Sequence, residues 1–256
     1  MDTQFEFQRL FPDLQWEVIM KMDDRELVNL CRSSKEMENF CNTRDWFWRD
    51  RIRSQFFLDP AYPIVQQMLH NNGDNWFRVY FVLVRLNKLK PKLSPHLDQY
   101  SLTELYNLQS LNLSYNQLTE LPREIGNLTN LQKLDLSRNQ LTELPKEIGN
   151  LTNLQDLRLN NNRLTELPTE IGNLTNLYFL YLYNNQLTEL PREIGNLTNL
   201  HTLFLYNNRL TELPREIGNL TNLQELELSD NQLSDPKKIK QLLPNTMITI
   251  DHKIWW

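Results

Sequence analysis

From Leu108 onward the sequence repeats with a period of 23 residues, and this period limits the fold more than any other feature of the chain. The pattern L-x-x-L-x-L-x-x-N-x-L begins at six leucines, Leu108, Leu131, Leu154, Leu177, Leu200 and Leu223. A downstream phrase, L-T-E-L-P-x-E-I-G-N-L-T-N, recurs almost unchanged, for example over residues 118–130 and 187–199. A fixed period of this length is typical of a solenoid, in which each unit buries its apolar face against its neighbours. We therefore expect function at the positions that escape the repetition.

Within each repeat, the x-x-L-x-L segment alternates with period two, which predicts one short strand. In the first repeat Leu111 and Leu113 then point inward and Asn112 points outward. Successive strands are expected to stack in parallel about 4.8 Å apart. The asparagine that follows each strand needs buried hydrogen-bond partners, which predicts a column of amides bonded to backbone groups. These residues are Asn116, Asn139, Asn162, Asn185, Asn208 and Asn231.

These motifs resemble the leucine-rich repeat family, and the L-P-x-x-I-x-x-L return segment resembles its intracellular, Ras-group type. The resemblance covers about residues 100–251. It implies an α/β solenoid with a curved parallel sheet on its concave face, preceded here by a small all-α domain. Residues 97–105 carry a shortened echo of the repeat and are expected to begin the stack. A short helix and a last strand after Pro236 are expected to form a cap, and the place of Trp255 and Trp256 stays open.

Outward strand positions line the concave face, where the family resemblance implies that partners dock. They are mostly polar or charged, except in the fourth and fifth repeats, where they turn aromatic. Strand spacing predicts that Tyr181 lies beside Phe204 and that Tyr183 lies beside Tyr206. The predicted partner-binding residues are Arg158, Phe179, Tyr181, Tyr183, Phe204, Tyr206 and Glu227.

An exposed aromatic cluster rimmed by charge is unusual on a surface without a partner. Aromatic residues also dominate the energetics of protein interfaces. The alternative is that the rings only stabilise the sheet by cross-strand stacking, with Arg158 resting on Tyr181 as a cation–π contact.

The N-terminal region has helical apolar spacing over residues 10–57 and resembles an F-box. The matching positions are Phe11-Pro12, Ile19-Met20, Met22-Asp23, Leu27, Ser34-Lys35 and Phe47-Trp48. The sequence departs from the motif at Ser33, where valine is usual, at Met37, where tryptophan is usual, and in a turn that is one residue short. The resemblance implies binding to the Skp-type adaptor of a cullin–RING ubiquitin ligase. Its contact set would be Phe11, Pro12, Ile19, Met22, Leu27 and Leu30. Alternatively, the helices only cap the solenoid.

The predicted organisation has four parts. They are an F-box-like helical domain at 1–57, a helical linker or N-terminal cap at 58–96, the repeats at 97–235 and a C-terminal cap at 236–256.

Charge and composition exclude several classes of function. The net charge of −5 lies entirely in residues 100–256, which argues against nucleic acid as the solenoid's target. The basic runs at 49–53 and 88–92 are interpreted as solvated helix faces.

The two cysteines, Cys31 and Cys41, are interpreted as reduced core residues. The N-terminus lacks the pattern of a signal peptide, and no stretch approaches the apolar length of a membrane span, so a cytoplasmic protein is expected. For a viral protein or a bacterial effector this would be the host cytoplasm.

No nucleophile–base arrangement, metal-ligand cluster or phosphate loop is visible, so we expect no enzyme activity, no cofactor and no metal site. The sequence therefore favours a substrate receptor of an SCF-type ubiquitin ligase, with an unidentified target protein on the strand face and neither nucleic acid nor membrane as a partner. The alternative is a non-enzymatic scaffold or signalling regulator. A hydrolase or transferase within residues 1–99 is the least favoured interpretation.

Overall fold

The computed structural model describes residues 29–33, 35, 45–56, 63–72, 76–251 and 253–255. The chain divides into two compact units, Met1–Val84 and Arg85–Trp256. The described elements of the first unit are helical, and the second unit contains the repeats. The finer division into four parts stays a prediction.

Three of the described helices that precede the repeats are α1 (Asp45–Phe56), α2 (Pro63–Asn71) and α3 (Trp76–Lys92). Each buries apolar side chains at helical spacing, such as Trp48 and Ile52 on α1 and Val65 and Met68 on α2. Trp48, which matches the F-box motif, therefore faces a core, with 1% exposure.

Arg51 contradicts the interpretation of the first basic run as a solvated face. It is 7% exposed, and its Nε and Nη2 donate to the Tyr80 hydroxyl oxygen at 3.3 and 3.1 Å. Residues two apart on a helix lie on nearly opposite sides, whereas residues four apart share a side. Arg49 and Arg53 are accordingly exposed, while Arg51 points to the core with Ile52.

Cys31 is also different from what we expected. It is 3% exposed and disulfide-bonded, so the interpretation as a reduced thiol is wrong. It ends a helical turn, after which the Arg32 and Ser33 amides donate to Asn29 and Leu30 carbonyls. A disulfide depends on the distance and direction between two side chains, which spacing along the sequence does not provide.

A short helix, α4 (Leu102–Tyr106), stands before the first strand. Ser101 caps it, since its hydroxyl accepts from the Glu104 amide at 3.2 Å while the Glu104 carboxylate accepts from the Ser101 amide at 2.8 Å. Leu105 and Tyr106 are buried. The shortened echo of the repeat thus forms a helical turn, and the strands begin only at Ser110.

The repeats form the parallel sheet that the alternation predicts. Its strands are β1 (Ser110–Asn112), β2 (Lys133–Asp135), β3 (Asp156–Arg158), β4 (Phe179–Tyr181), β5 (Thr202–Phe204), β6 (Glu225–Glu227) and β7 (Met247–Ile250), followed by the antiparallel β8 (Lys253–Trp255). From β1 to β6, each residue pairs with the residue 23 positions later, for example Leu134 with Leu157. The leucine at the centre of each strand is buried, as at Leu180 and Leu203.

On the return side of each of the first five repeats, a single 3₁₀ turn follows the recurring phrase L-P. The five turns are Arg123–Asn127, Lys146–Asn150, Thr169–Asn173, Arg192–Asn196 and Arg215–Asn219. The glycine in each turn allows the next repeat to approach closely. A Cβ atom on Gly149 would lie 2.5 Å from the Glu170 carbonyl oxygen, which leaves no room for any side chain.

The predicted column of asparagine amides is present. Asn162, Asn185 and Asn208 are buried, and the Nδ2 of each donates to the carbonyls of two successive repeats. The column therefore ties the backbone of each repeat to that of its neighbour.

The helix and the last strand predicted after Pro236 are both present. The helix α5 (Pro236–Leu242) begins at Asp235, whose side chain accepts from the Lys238 amide at 3.2 Å. The Thr246 hydroxyl then donates to the Leu223 carbonyl at 2.8 Å. The chain reverses after β7, so Trp255 lies in β8 and pairs with Ile248, whereas Trp256 lies outside the described residues.

Candidate binding site on the strand face

The candidate site is formed by outward side chains of β4 and β5 and of the residues beside them. Parallel register places Tyr181 directly across from Phe204. Their ring centroids lie 5.5 Å apart in an edge arrangement, and those of Tyr183 and Tyr206 lie 4.4 Å apart and stack. Both predicted neighbour pairs are therefore confirmed as contacts.

Two further rings extend the cluster beyond the predicted set. Tyr178 stacks on His201 with centroids 3.7 Å apart, and it also contacts Phe179 at 4.6 Å. Phe179 in turn stacks near Tyr181 at 6.3 Å. The sequence carries a signal for this pair, because the same position is glutamine in the other four repeats. We use the term aromatic cluster below for Tyr178, Phe179, Tyr181, Tyr183, His201, Phe204 and Tyr206.

The cluster is less exposed than the sequence suggested. The five predicted rings are half-buried, because stacking across neighbouring strands covers part of each ring face. Tyr178 is 39% exposed and forms the most open part of the cluster. The rings therefore contact one another across the strands and still leave apolar ring surface exposed.

Arg158 closes one side of the cluster. Its guanidinium carbon lies 5.5 Å from the Tyr181 ring centroid. Its Nε and Nη2 donate to the two carboxylate oxygens of Asp156 at 3.1 and 3.0 Å. The hydrogen bond to Asp156 raises the pKa of Arg158, and burial opposes this rise. The charge of Arg158 is thus already neutralised within the sheet.

The other side of the cluster is acidic. Glu225 and Glu227 lie on β6, with Phe204 directly across from Glu227. One oxygen of Glu227 accepts from the Ser229 amide at 2.9 Å. Both carboxylates are half-buried, and within the described part of the chain neither forms an ion pair.

A ladder of asparagine side chains runs beside Tyr183 and Tyr206, where each strand ends. Asn184 donates its Nδ2 to the Asn161 Oδ1, and Asn207 donates to the Asn184 Oδ1, both at 2.8 Å. These residues have positive φ angles of 54° to 58°, which asparagine tolerates better than most residues. The ladder places amide groups along the edge of the aromatic cluster.

Two hydroxyls of the cluster, those of Tyr181 and Tyr206, stay protonated to higher pH than usual. Burial raises the pKa of Tyr181, and Asp156 adds to the rise while Arg158 opposes it. Burial likewise raises the pKa of Tyr206, with Tyr183 and Glu227 adding to it. At neutral pH these hydroxyls therefore act as donors and as acceptors of hydrogen bonds.

Most of the predicted adaptor-binding set lies outside the part of the chain that the structure describes. Phe11, Pro12, Ile19, Met22 and Leu27 lie outside the described residues. Leu30 is half-buried in a helical turn beside Cys31. This set stays a prediction from the sequence.

The described residues contain neither a group of three or more His, Cys, Asp or Glu side chains that could hold a metal nor a helix long and apolar enough to cross a membrane.

A solenoid of 23-residue repeats with one parallel strand each and a column of buried asparagines defines the leucine-rich repeat class. The family model for a leucine-rich repeat region matches residues 69–178 and 146–246, more than half of the chain. The protein belongs to the leucine-rich repeat family. The matched residues begin after the F-box-like segment.

Solved structures support the same class. A leucine-rich repeat protein of Leptospira interrogans is 49% identical with a TM-score of 0.55, and the match covers 58% of this chain and 39% of that one. The plant peptide hormone receptor RGFR1, solved in complex with RGF2, is 44% identical with a TM-score of 0.51, over 56% of this chain and 24% of the receptor chain. This chain therefore spans less than half the length of either. No curated protein sequence matches it significantly.

Proposed function

We propose that this protein is a non-enzymatic binding protein that holds a segment of a partner protein against the aromatic cluster. The observation that carries the proposal is the concentration of seven rings on two adjacent repeats, whereas the outward positions of the other repeats are mostly polar. Rings of this kind dominate the binding energy of protein interfaces.

The surroundings of the cluster suit an extended peptide segment. The asparagine ladder offers amide donors and acceptors next to the rings, and a peptide backbone needs both when it leaves water. Rigid strands position these groups, so the surface is largely preformed. The plant receptor that resembles this chain was solved with RGF2 bound, which supports peptide or protein binding as the general mode.

A purely structural role for the rings predicts a different outcome from partner binding. Cross-strand aromatic pairs contribute about 0.2–1 kcal/mol each to sheet stability. Replacing Tyr181 and Phe204 with alanine should therefore cost little more than about 2 kcal/mol of unfolding free energy. A hot-spot pair should instead lower partner affinity about thirtyfold or more.

The experiment is quantitative affinity purification with the double variant Tyr181→Ala/Phe204→Ala. The matched control is Tyr115→Ala, which removes an exposed aromatic ring from the first repeat, outside the cluster. Proteins that bind through the cluster are lost from the double variant and kept by the control. Retention of every specific partner by a folded double variant would contradict the proposal.

The finer form of the proposal is a substrate receptor of an SCF-type ubiquitin ligase. The F-box-like segment would bind the Skp-type adaptor through Phe11, Pro12, Ile19, Met22, Leu27 and Leu30, and the strand face would hold the target. Support comes from the sequence motif and from the helical character of α1, which buries Trp48 and Ile52. A cytoplasmic site of action, in a host cell for a viral protein or a bacterial effector, belongs to this form of the proposal.

The disulfide at Cys31 weighs against a reducing compartment, since structural disulfides persist mainly in oxidising ones. The disulfide therefore favours the scaffold alternative over the ligase form. If Cys31 is reduced in protein isolated under thiol-blocking conditions, it no longer favours either of the two.

Reconstitution with a purified Skp-type adaptor tests the ligase form directly. The intact chain should co-elute with the adaptor, and Leu27→Asp/Leu30→Asp should abolish the complex. Tyr181→Ala/Phe204→Ala is the control that should retain it. Failure of the intact chain to bind any Skp-type adaptor would leave the simpler scaffold or regulator and would refute the ligase role.

A further inference from the structure

On the proposed function, a segment of the partner docks on the aromatic cluster. We infer that this segment carries a basic side chain, preferably arginine. This side chain would lie against Phe204 and pair with Glu225 and Glu227. The inference specifies the chemistry of the partner from the two unequal sides of the cluster.

On one side, the protein itself shows how its strand face binds a guanidinium. Arg158 lies over the Tyr181 ring of the next strand, at 5.5 Å, and is held by both oxygens of Asp156. One ring and one carboxylate on neighbouring strands therefore suffice to orient an arginine side chain here.

On the opposite side, the same two kinds of group occur without the cation. Phe204 is in register with Glu227, and Thr202, on the same strand, is in register with Glu225. Adjacent strands are about 4.8 Å apart, so a side chain that covers the Phe204 ring can reach either carboxylate. Among the residues described, no arginine or lysine lies over the Phe204 ring or pairs with these two glutamates.

The charges of the two sides decide which ligand is favoured. Arg158 is neutralised by Asp156, so that side offers little attraction to an acidic segment. Glu225 and Glu227 are half-buried, and their negative field contributes to the raised pKa of Tyr181 and Tyr206, respectively. A cation placed between them gains both an ion pair and a ring contact, whereas an acidic side chain is repelled.

Arginine fits this place better than lysine. Its guanidinium is planar, so it can stack on a ring and donate to a carboxylate at the same time. It also keeps fewer tightly bound waters than an ammonium group, which favours a half-buried position. We therefore expect an apolar residue over Tyr181 and Tyr183 and an arginine toward β6 in the same segment.

The probe is a phage-displayed library of random linear peptides, selected on the intact chain and counter-selected on Tyr181→Ala/Phe204→Ala. The expected result is enrichment of arginine, and less of lysine, over aspartate and glutamate. Replacing the enriched arginine by citrulline, which is similar in shape but uncharged, should weaken binding about tenfold. Glu225→Gln/Glu227→Gln should weaken the arginine peptide about as much and the citrulline peptide hardly at all.

The matched control is Glu189→Gln/Glu212→Gln, which removes two exposed carboxylates outside the strand face and should leave binding unchanged. Raising the salt concentration should weaken the arginine peptide more than the citrulline peptide. Peptides that depend on Tyr181 and Phe204 but show no basic enrichment, or that bind Glu225→Gln/Glu227→Gln equally well, would overturn the inference and leave the proposed function intact. If no selected peptide depends on Tyr181 and Phe204, both are overturned.

Discussion

The column of buried asparagines allows a sharp prediction about the stability of the solenoid. Asn185 is 8% exposed, and its Nδ2 donates to the Leu159 and Leu182 carbonyls at 3.0 and 2.9 Å. Its Oδ1 accepts from the Leu164 amide at 3.0 Å. Replacing Asn185 with alanine removes all of these bonds at once.

The cost is smaller than the number of bonds suggests, because the carbonyls are shared. The Leu159 carbonyl also accepts from Asn162 at 3.0 Å, and the Leu182 carbonyl also accepts from Asn208 at 3.0 Å. Each carbonyl therefore keeps one partner in the variant. The Leu164 amide is the group that loses its acceptor, and a buried unsatisfied donor costs about 1–3 kcal/mol.

We therefore expect Asn185→Ala to lower the free energy of unfolding by about 2–3 kcal/mol, including a small cavity. This corresponds to a fall in Tm of roughly 4–12 °C for a domain of this size. The assay is thermal and denaturant unfolding followed by circular dichroism. The matched control is Asn176→Ala at the end of the preceding repeat, because Asn176 is exposed and makes a single bond to the Thr152 carbonyl at 2.8 Å.

A loss of unfolding free energy no larger than that of the Asn176 control would refute this reasoning. It would mean that the Leu164 backbone amide needs no protein acceptor. A loss above about 5 kcal/mol would show instead that the shared carbonyls are not compensated by the neighbouring asparagines.

Three other predictions concern close packing, the helical unit and pH. Gly149→Ala should destabilise the solenoid by about 1–3 kcal/mol, because its Cβ would lie 2.5 Å from a backbone oxygen of the next repeat. Gly218→Ala, with 3.3 Å to the nearest atom, should cost clearly less in the same unfolding assay, and equal losses would contradict the packing argument. Tyr80→Phe removes the hydroxyl that accepts from the buried arginine of α1, and chemical denaturation should show a loss of about 1–2 kcal/mol, whereas an unchanged midpoint would argue against that contact. Finally, the raised pKa of Tyr181 and Tyr206 means that these side chains ionise at lower pH in the unfolded chain than in the folded protein. Their stabilising contribution is therefore complete below the ordinary value of 10.0 and is lost as pH rises through the raised pKa, so stability should fall more steeply above pH 10 in the intact protein than in Tyr181→Phe.

Much of the repeat region could be predicted because its contacts recur at one spacing. The alternation of Leu111 and Leu113 with polar residues predicted the strands and their buried face. The parallel register then placed Tyr181 beside Phe204 without further information. Each of these features follows from a local pattern repeated every 23 residues.

The features that could not be predicted depend on the exact phase and spacing of side chains. Arg51 is buried because of the side of α1 on which it falls, and a run of alternating arginines does not reveal which side faces the core. The stack of Tyr178 on His201 depends on how two rings turn just before their strands. The disulfide of Cys31 likewise depends on a distance between segments.

By itself, the sequence determined that this protein is a solenoid, how its repeats stack and which two repeats carry aromatic strand positions. A fixed period is sufficient for this, because each unit meets only its neighbours and every meeting is the same. The tertiary structure alone decided that the rings are half-buried by one another, that Asp156 neutralises Arg158, and that Glu225 and Glu227 pair with no cation among the described residues. These properties arise from distances of a few ångströms between side chains on different strands, which no periodic pattern of residue types specifies.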